Sequence, residues 1–155
     1  MTSNPLSIYE WQEPNFRAVN KFYKKQKHKG SASGEERVFV ITENQCLALE
    51  PAENNDITIL AAVRLVPAHG YYWLRSLYVE KGLRGQKLGS RLMAFVNDQV
   101  DIDIHCFPYP HLQPFYTQSG YELTPLTTAP EPLQQLYQRY NRKADSILFM
   151  SRLAI

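Results

Sequence analysis

The stretch from Tyr71 to Phe107 constrains the fold of this chain more than any other. Tyr71–Val79 (YYWLRSLYV) is dense in β-formers and reads as a strand. Gly82–Gly89 (GLRGQKLG) is a glycine-punctuated loop. Leu88, Leu92, Phe95, Val96 and Val100 then recur at helical spacing, and Ile102–Phe107 reads as a second strand. Strand, loop, helix and strand make a βαβ unit, which implies two parallel strands joined by a right-handed crossover.

The remaining elements surround that unit. Leu6–Trp11 alternates apolar and polar residues, as a first strand does. Phe16, Val19, Phe22 and Tyr23 share one face of a helix. The other face carries Arg17, Lys21, Lys24, Lys25, Lys27 and Lys29 without an acid. Such a run is a solvated face or an electropositive rim for an acidic ligand. Gly30–Gly34 ends the helix in a loop. Arg37–Thr42 and Cys46–Glu50 are predicted strands around the Glu43-Asn44-Gln45 turn, with Pro51–Asp56 as a polar loop. Ile57–Val66 is a longer strand, and Pro67–Gly70 makes it an antiparallel neighbour of Tyr71–Val79. After the βαβ unit come a short helix over Leu112–Ser119, a brief strand Tyr121–Thr124, a helix from Pro132 and a closing strand Ile147–Leu153. The expected fold class is α/β (α+β): one mixed, mostly antiparallel central sheet with flanking helices, spanning residues 1–155 as a single domain.

Composition narrows the function classes. Net charge is +2, from 17 Lys+Arg against 15 Asp+Glu, so a dedicated nucleic-acid binder is not expected. No apolar stretch approaches a membrane-helix length, and Met1–Glu10 lacks a secretory signal pattern. Cys46 and Cys106 form no CxxC pattern, so neither a disulfide framework nor a metal site is expected, and a cytoplasmic setting is.

The chemistry concentrates in Leu74–Leu92 (LRSLYVEKGLRGQKLGSRL). A strand enters a basic, glycine-containing turn that opens a helix. The first amides of a helix have no partner within it and sit at its positive pole, where they bind phosphate. Gly85 and Gly89 permit close backbone approach, and Arg84 and Lys87 add charge. An ordinary βα turn with two solvated cations fits the same residues equally well. Neither GxxxxGK[ST] nor GxGxxG is present.

Two segments together carry a family resemblance. LYVEKGLRGQKLGSRLM resembles the acyl-CoA-binding motif of the GNAT superfamily of N-acetyltransferases, in which an L-Y-V-like strand end leads into Q/R-x-x-G-x-G/A and a helix. LQPFYTQSGYE, Leu112–Glu122, resembles the family's A-x-x-F-Y-x-x-x-G-F segment, with Phe115, Tyr116, Gly120 and Tyr121 in register. The departures are Lys87 in place of the first glycine, Arg75 where many members carry an acid, a missing asparagine near Tyr109, and the long Pro132–Arg142 segment.

The resemblance implies a GNAT-like fold and direct transfer of an acetyl group from acetyl-CoA to an amine acceptor, in a monomer or homodimer. It implies that Leu77, Tyr78 and Val79 pair with the pantetheine arm. Backbone amides of Arg84, Gly85, Gln86, Lys87, Leu88, Gly89 and Ser90 would hold the pyrophosphate. The amide of Val79 or Leu77 becomes an oxyanion donor, and Tyr116 the general acid. Arg75 and the basic helix point to an acceptor with a negative charge near its amine. The base stays open between Glu80, His105 and water. Cys106 lacks a partner that would make it a nucleophile. A CoA-binding partner module without turnover is the alternative, and an RNA-associated domain using the basic face a more distant one.

Overall fold

The computed structural model describes residues 5–43, 57–143 and 146–154. The expected strand Cys46–Glu50, its preceding turn and the Pro51–Asp56 loop lie outside the described residues. Seven strands form one sheet: β1 (Leu6–Glu10), β2 (Arg37–Glu43), β3 (Thr58–Ala68), β4 (Tyr71–Val79), β5 (Asp103–Cys106), β6 (Glu122–Leu123) and β7 (Met150–Arg152). Their spatial order is β1-β2-β3-β4-β5-β7-β6. All neighbours are antiparallel except β4 and β5, which run parallel across the crossover helix α2 (Leu88–Gln99), as the βαβ reading requires.

Strand alternation divides the core into two faces. Phe39 and Ile41 of β2 and Leu74 of β4 turn toward α2, where Leu92, Met93 and Val96 are fully buried. Val38 and Val40 turn the opposite way, against Val19, Phe22 and Tyr23 of α1 (Arg17–Lys25). The same face continues under α4 (Glu131–Lys143), whose Leu133 packs with Tyr71 and Phe149. The Pro132–Arg142 segment is thus a helix, fixed by Tyr137, whose hydroxyl donates to the Ile147 carbonyl at 2.8 Å. The short helix α3 (Gln113–Gln118) lies with α2 and brings Tyr116 into the same core.

Several boundaries differ from the sequence expectations. Helix α1 ends at Lys25, because Lys27 adopts a left-handed φ of 62°. Lys27 and Lys29 therefore leave the basic helix face. The closing strand shrinks from Ile147–Leu153 to Met150–Arg152, since β5 and β6 offer pairing partners only there. Pro132 is the second helical residue rather than the first.

Candidate active site

Strand β4 has nine residues, but only Tyr71–Leu74 pair with β5. Beyond Leu74 the strand keeps β3 partners at Arg75, Tyr78 and Val79 and has no paired neighbour on the β5 side. The parting opens a cleft of about 900 Å³ between β4, the N-terminus of α2, α3, and the Phe107–Leu112 segment after β5. Period-two alternation sets the direction of the exposed amides. The N–H of Glu80 donates to Leu60 of β3 at 2.8 Å, so the amides of Leu77 and Val79 turn the other way, into the gap.

The glycine loop forms one end of this cleft. Gly85 takes a φ of 88° and Lys87, just before α2, a φ of 63°. Both values lie where glycine is at ease and other residues are strained. The first helical bond runs from Arg91 N–H to the Lys87 carbonyl, which leaves the amides of Leu88, Gly89 and Ser90 without an intrahelical acceptor. Arg84 folds back so that its Nε donates to the Val79 carbonyl at 3.2 Å. Gly89 has a further role. A Cβ there would meet the Phe115 ring at 3.3 Å, so the missing side chain lets α3 approach α2.

Of the cosubstrate-binding, acceptor-binding and catalytic residues expected from sequence, all but Gln86, Glu80 and His105 line this one cleft. Tyr116 is 6% exposed, packed edge-on against Phe115 and Tyr121. Burial, and then the neighbouring Cys106, push its phenol well above the ordinary range, so it keeps its proton. Cys106 is wholly buried and its thiol is likewise driven up by burial, which removes it as a thiolate nucleophile. Arg75 lies over Trp73 at 4.5 Å and near Tyr140 at 5.7 Å. It makes no ion pair with any described residue. Among the described residues no group of three His, Cys, Asp or Glu could hold a metal ion, and no helix is long and apolar enough to cross a membrane.

Both side chains weighed as base lie elsewhere. Glu80 turns toward α1, accepting from Gln26 Nε2 at 2.9 Å with Lys25 Nζ at 3.8 Å. His105 does not face the gap. Its strand neighbours Ile104 and Cys106 point to the α2 face, so alternation sends His105 to the opposite one. There it is 4% exposed, hydrogen-bonded to Ser151 through Nδ1 and stacked on Phe149. Gln86 sits at the loop apex, outside the cleft lining. The basic residues of α1 also miss this cleft. Arg17, Lys21 and Lys25 border a separate pocket of about 340 Å³ with Trp11 and Phe22.

A residue without a sequence signal also lines the cleft. His28 follows α1, its amide bonded to the Tyr23 carbonyl at 3.0 Å, and its ring lines the cleft. The imidazole packs on Tyr78 at 4.7 Å, and its Nε2 lies 2.8 Å from Ser76 Oγ. Ser76 has a φ of 61°, opposite a register shift between Ala62 and Arg64 of β3. A non-glycine residue there carries strain of about 1–3 kcal/mol. Three side chains hold it: the Tyr23 hydroxyl donates to its carbonyl at 2.8 Å, Arg64 Nη1 donates to its Oγ at 3.0 Å, and His28 bonds the same oxygen. Arg64 is itself clamped by both carboxylate oxygens of Glu36, at 2.8 and 2.9 Å. No motif marks His28, Glu36 or Arg64. Only the end of α1 and the bulge in β4, where Ser76 and Leu77 stand against Val63 alone, bring them together.

Comparison with known proteins agrees with this architecture. The family model described as an acetyltransferase (GNAT) domain matches residues 34–123, more than half of the chain. No functionally curated protein matches the sequence. Among solved structures, a GNAT-family acetyltransferase from Staphylococcus aureus Mu50 superposes with a TM-score of 0.58 at 14% identity, covering 96% of this chain and 98% of the other. Escherichia coli ElaA gives 0.62 at 16% identity, with 96% and 99% coverage. An aminoglycoside 6'-N-acetyltransferase complexed with coenzyme A gives 0.61 at 13% identity, with 96% and 97% coverage. At these identities the likeness is one of fold.

Proposed function

Because the chain belongs to the GNAT acetyltransferase family, and so is an acyltransferase with an acyl-CoA donor, we propose that it moves an acetyl group from acetyl-CoA to a primary amine by direct attack, residues 1–155 acting as one unit. The observation that carries this reading is the parting of β4 from β5 directly beside the open amides of α2, with Tyr116 in the gap. The free edge of Leu77–Val79 accepts an extended pantetheine arm as a sheet accepts a strand. The unsatisfied amides of Leu88, Gly89 and Ser90, with Gly85, Gln86 and Lys87 beside them, suit a pyrophosphate, and the Arg84 guanidinium lies at the same end. The amides of Leu77 and Val79 point to where charge develops on the thioester oxygen. Tyr116, held protonated, has a proton to give the departing sulfur.

The acceptor end of the cleft supports a narrower reading. Arg75 presents a guanidinium over Trp73 and Tyr140 without a carboxylate partner among the described residues. That arrangement fits an amine that also carries a carboxylate or phosphate. Arg75 alone carries this reading, because the α1 lysines border the other pocket.

The test is ligand-induced stabilisation followed by an amine screen read through release of free CoA thiol. Acetyl-CoA at a hundred times its Kd raises stability by about 2.7 kcal/mol. Gly89→Asp places a carboxylate against the pyrophosphate site and abolishes that shift. A wild-type protein that shows no shift at millimolar acetyl-CoA refutes the assignment.

A further inference from the structure

We propose that His28 is the general base that takes the proton from the acceptor ammonium, with Ser76 as its positioning residue. The inference rests on the acetyl-transfer reading above and assigns a role which neither Glu80 nor His105 is placed to fill.

Four observations converge on His28. It lines the cleft on the same wall as Arg75 and Tyr78, next to the open edge of β4. Its Nε2 is committed to Ser76 Oγ, while Nδ1 makes no hydrogen bond to any described residue. The ring is pinned rather than free: it packs on Tyr78 at 4.7 Å and on Tyr23 at 5.3 Å. Gly30 leaves room for this placement, since a Cβ there would come within 2.7 Å of Nε2.

The network accommodates the tautomer that a base requires. Arg64 can only donate, so Ser76 Oγ accepts from Nη1 and keeps a lone pair for His28. With Nε2–H donated into that lone pair, Nδ1 holds the free pair that a base requires. On protonation the ring gains Nδ1–H without surrendering its bond to Ser76.

Burial, with the charge around the ring, disfavours its protonation before the substrate arrives. The groups facing it are Tyr23 from α1, Arg64 from β3 with Glu36 behind it, and Arg75, Ser76 and Tyr78 from β4. Burial first, then Arg64 and Arg75, hold the imidazole below its ordinary range. An acceptor anion on Arg75 cancels one of those two cations. The base thus strengthens when the acceptor binds.

The step balances as follows. An N–H bond of the ammonium breaks and its proton passes to His28 Nδ1. The freed nitrogen pair forms a bond to the thioester carbonyl carbon. As the adduct collapses, the C–S bond breaks and sulfur takes the Tyr116 proton. A second proton leaves nitrogen and replaces the one Tyr116 gave. His28 releases its proton to solvent, so one amide, one thiol and one proton are formed.

The test compares matched acceptors in wild type and His28→Gln, which keeps a partner for Ser76 but cannot take a proton. The amino group of β-alanine is cationic at neutral pH. Aminooxyacetate has nearly the same shape and carboxylate, but its nitrogen is already uncharged. Ethylamine and methoxyamine form a second pair without the anion. We expect His28→Gln to lower kcat/KM for the cationic member of a pair by about 10²–10⁴-fold. The uncharged member changes by less than about fivefold, and the rise of kcat/KM with pH that marks the base disappears. Acetyl-CoA stabilisation stays intact. Equal loss on both members, or undiminished turnover of the cationic one, overturns the role of His28 while leaving acetyl transfer standing. Failure of the wild type to acetylate either pair while binding acetyl-CoA overturns it too. Absence of acetyl-CoA stabilisation in the wild type instead removes the reading beneath it. Nuclear magnetic resonance of labelled histidine adds an arm that needs no acceptor: a His28 ring charged at pH 7 in the free protein refutes the proposal.

Discussion

Removing the Glu36 carboxylate tests how the cleft wall is held. Arg64 and Glu36 form a two-pronged pair at 2.8 and 2.9 Å, and their side chains are only 5% and 11% exposed. Glu36→Ala leaves the guanidinium nearly buried with Ser76 Oγ as its remaining polar contact. Breaking one side of such a pair costs roughly 3–5 kcal/mol. That is a large share of the roughly 5–15 kcal/mol that stabilises a domain. At about 2–4 °C per kcal/mol for a chain of this size, Tm falls by about 6–20 °C. Arg64→Met in the same background removes the orphaned charge, and most of the loss returns. What stays lost is about 1 kcal/mol for the hydrogen bond to Ser76. The assay is thermal and urea unfolding of the two single variants and the double variant, read as a cycle. A Glu36→Ala loss below about 1 kcal/mol, or a double variant no more stable than Glu36→Ala, shows that solvent reaches the pair and that it does not hold the bulge.

Three further outcomes follow from the same geometry. Tyr116→Phe keeps the packing on Phe115 and removes the proton, so kcat falls by about 10²–10⁴-fold with acetyl-CoA affinity nearly unchanged; lost affinity with intact kcat makes Tyr116 a packing residue instead. Lys87→Gly relieves the left-handed φ of 63° and raises stability by about 1 kcal/mol in urea unfolding, since the strain of a side chain there exceeds the entropy that glycine adds to the unfolded chain. His105 is held below its ordinary value of 6.5 by burial, only partly opposed by Asp103. The unfolded chain therefore binds a proton that the folded chain refuses, and stability falls as pH drops through 6.5 toward 5; His105→Gln flattens that slope without changing the pH profile of turnover.

The legibility of this chain follows the range of the interactions involved. The crossover over Tyr71–Phe107 could be read because its signals are local: strand composition, glycines in the loop and apolar spacing in α2. The cleft ends, Arg84–Ser90 and Tyr116, were legible for the same reason, each lying in a contiguous motif. His105 misled because the sequence gives a strand without its facing, and the two faces differ by one residue of register. Glu80 misled because its partner, Gln26, comes from a helix far away in the chain. His28 escaped notice among lysines, since nothing local states that Lys27 turns left-handed and sends the chain back to the sheet. Glu36, Arg64 and Ser76 meet only through the irregular pairing of β3 with β4, which no spacing rule encodes.

The position of β7 bears on how the protein reaches its working form. Strands β2, β3 and β4 are consecutive neighbours, so that half of the sheet closes through short-range pairings, the kind that form quickly. The other half cannot. The last strand in chain order enters between β5 and β6, and both wait with bare edges until it arrives. Its Arg152 then donates to the carbonyls of Asn97, Val100 and Ile102, fastening the end of α2 to the start of β5. The cleft wall opposite β4 is made of residues that come before β7, but the sheet behind that wall is completed only when β7 enters. A nascent chain would hold a finished first half beside an unfinished second one. Its chaperone dependence should therefore track the delivery of residues 150–152, not the burial of the larger core.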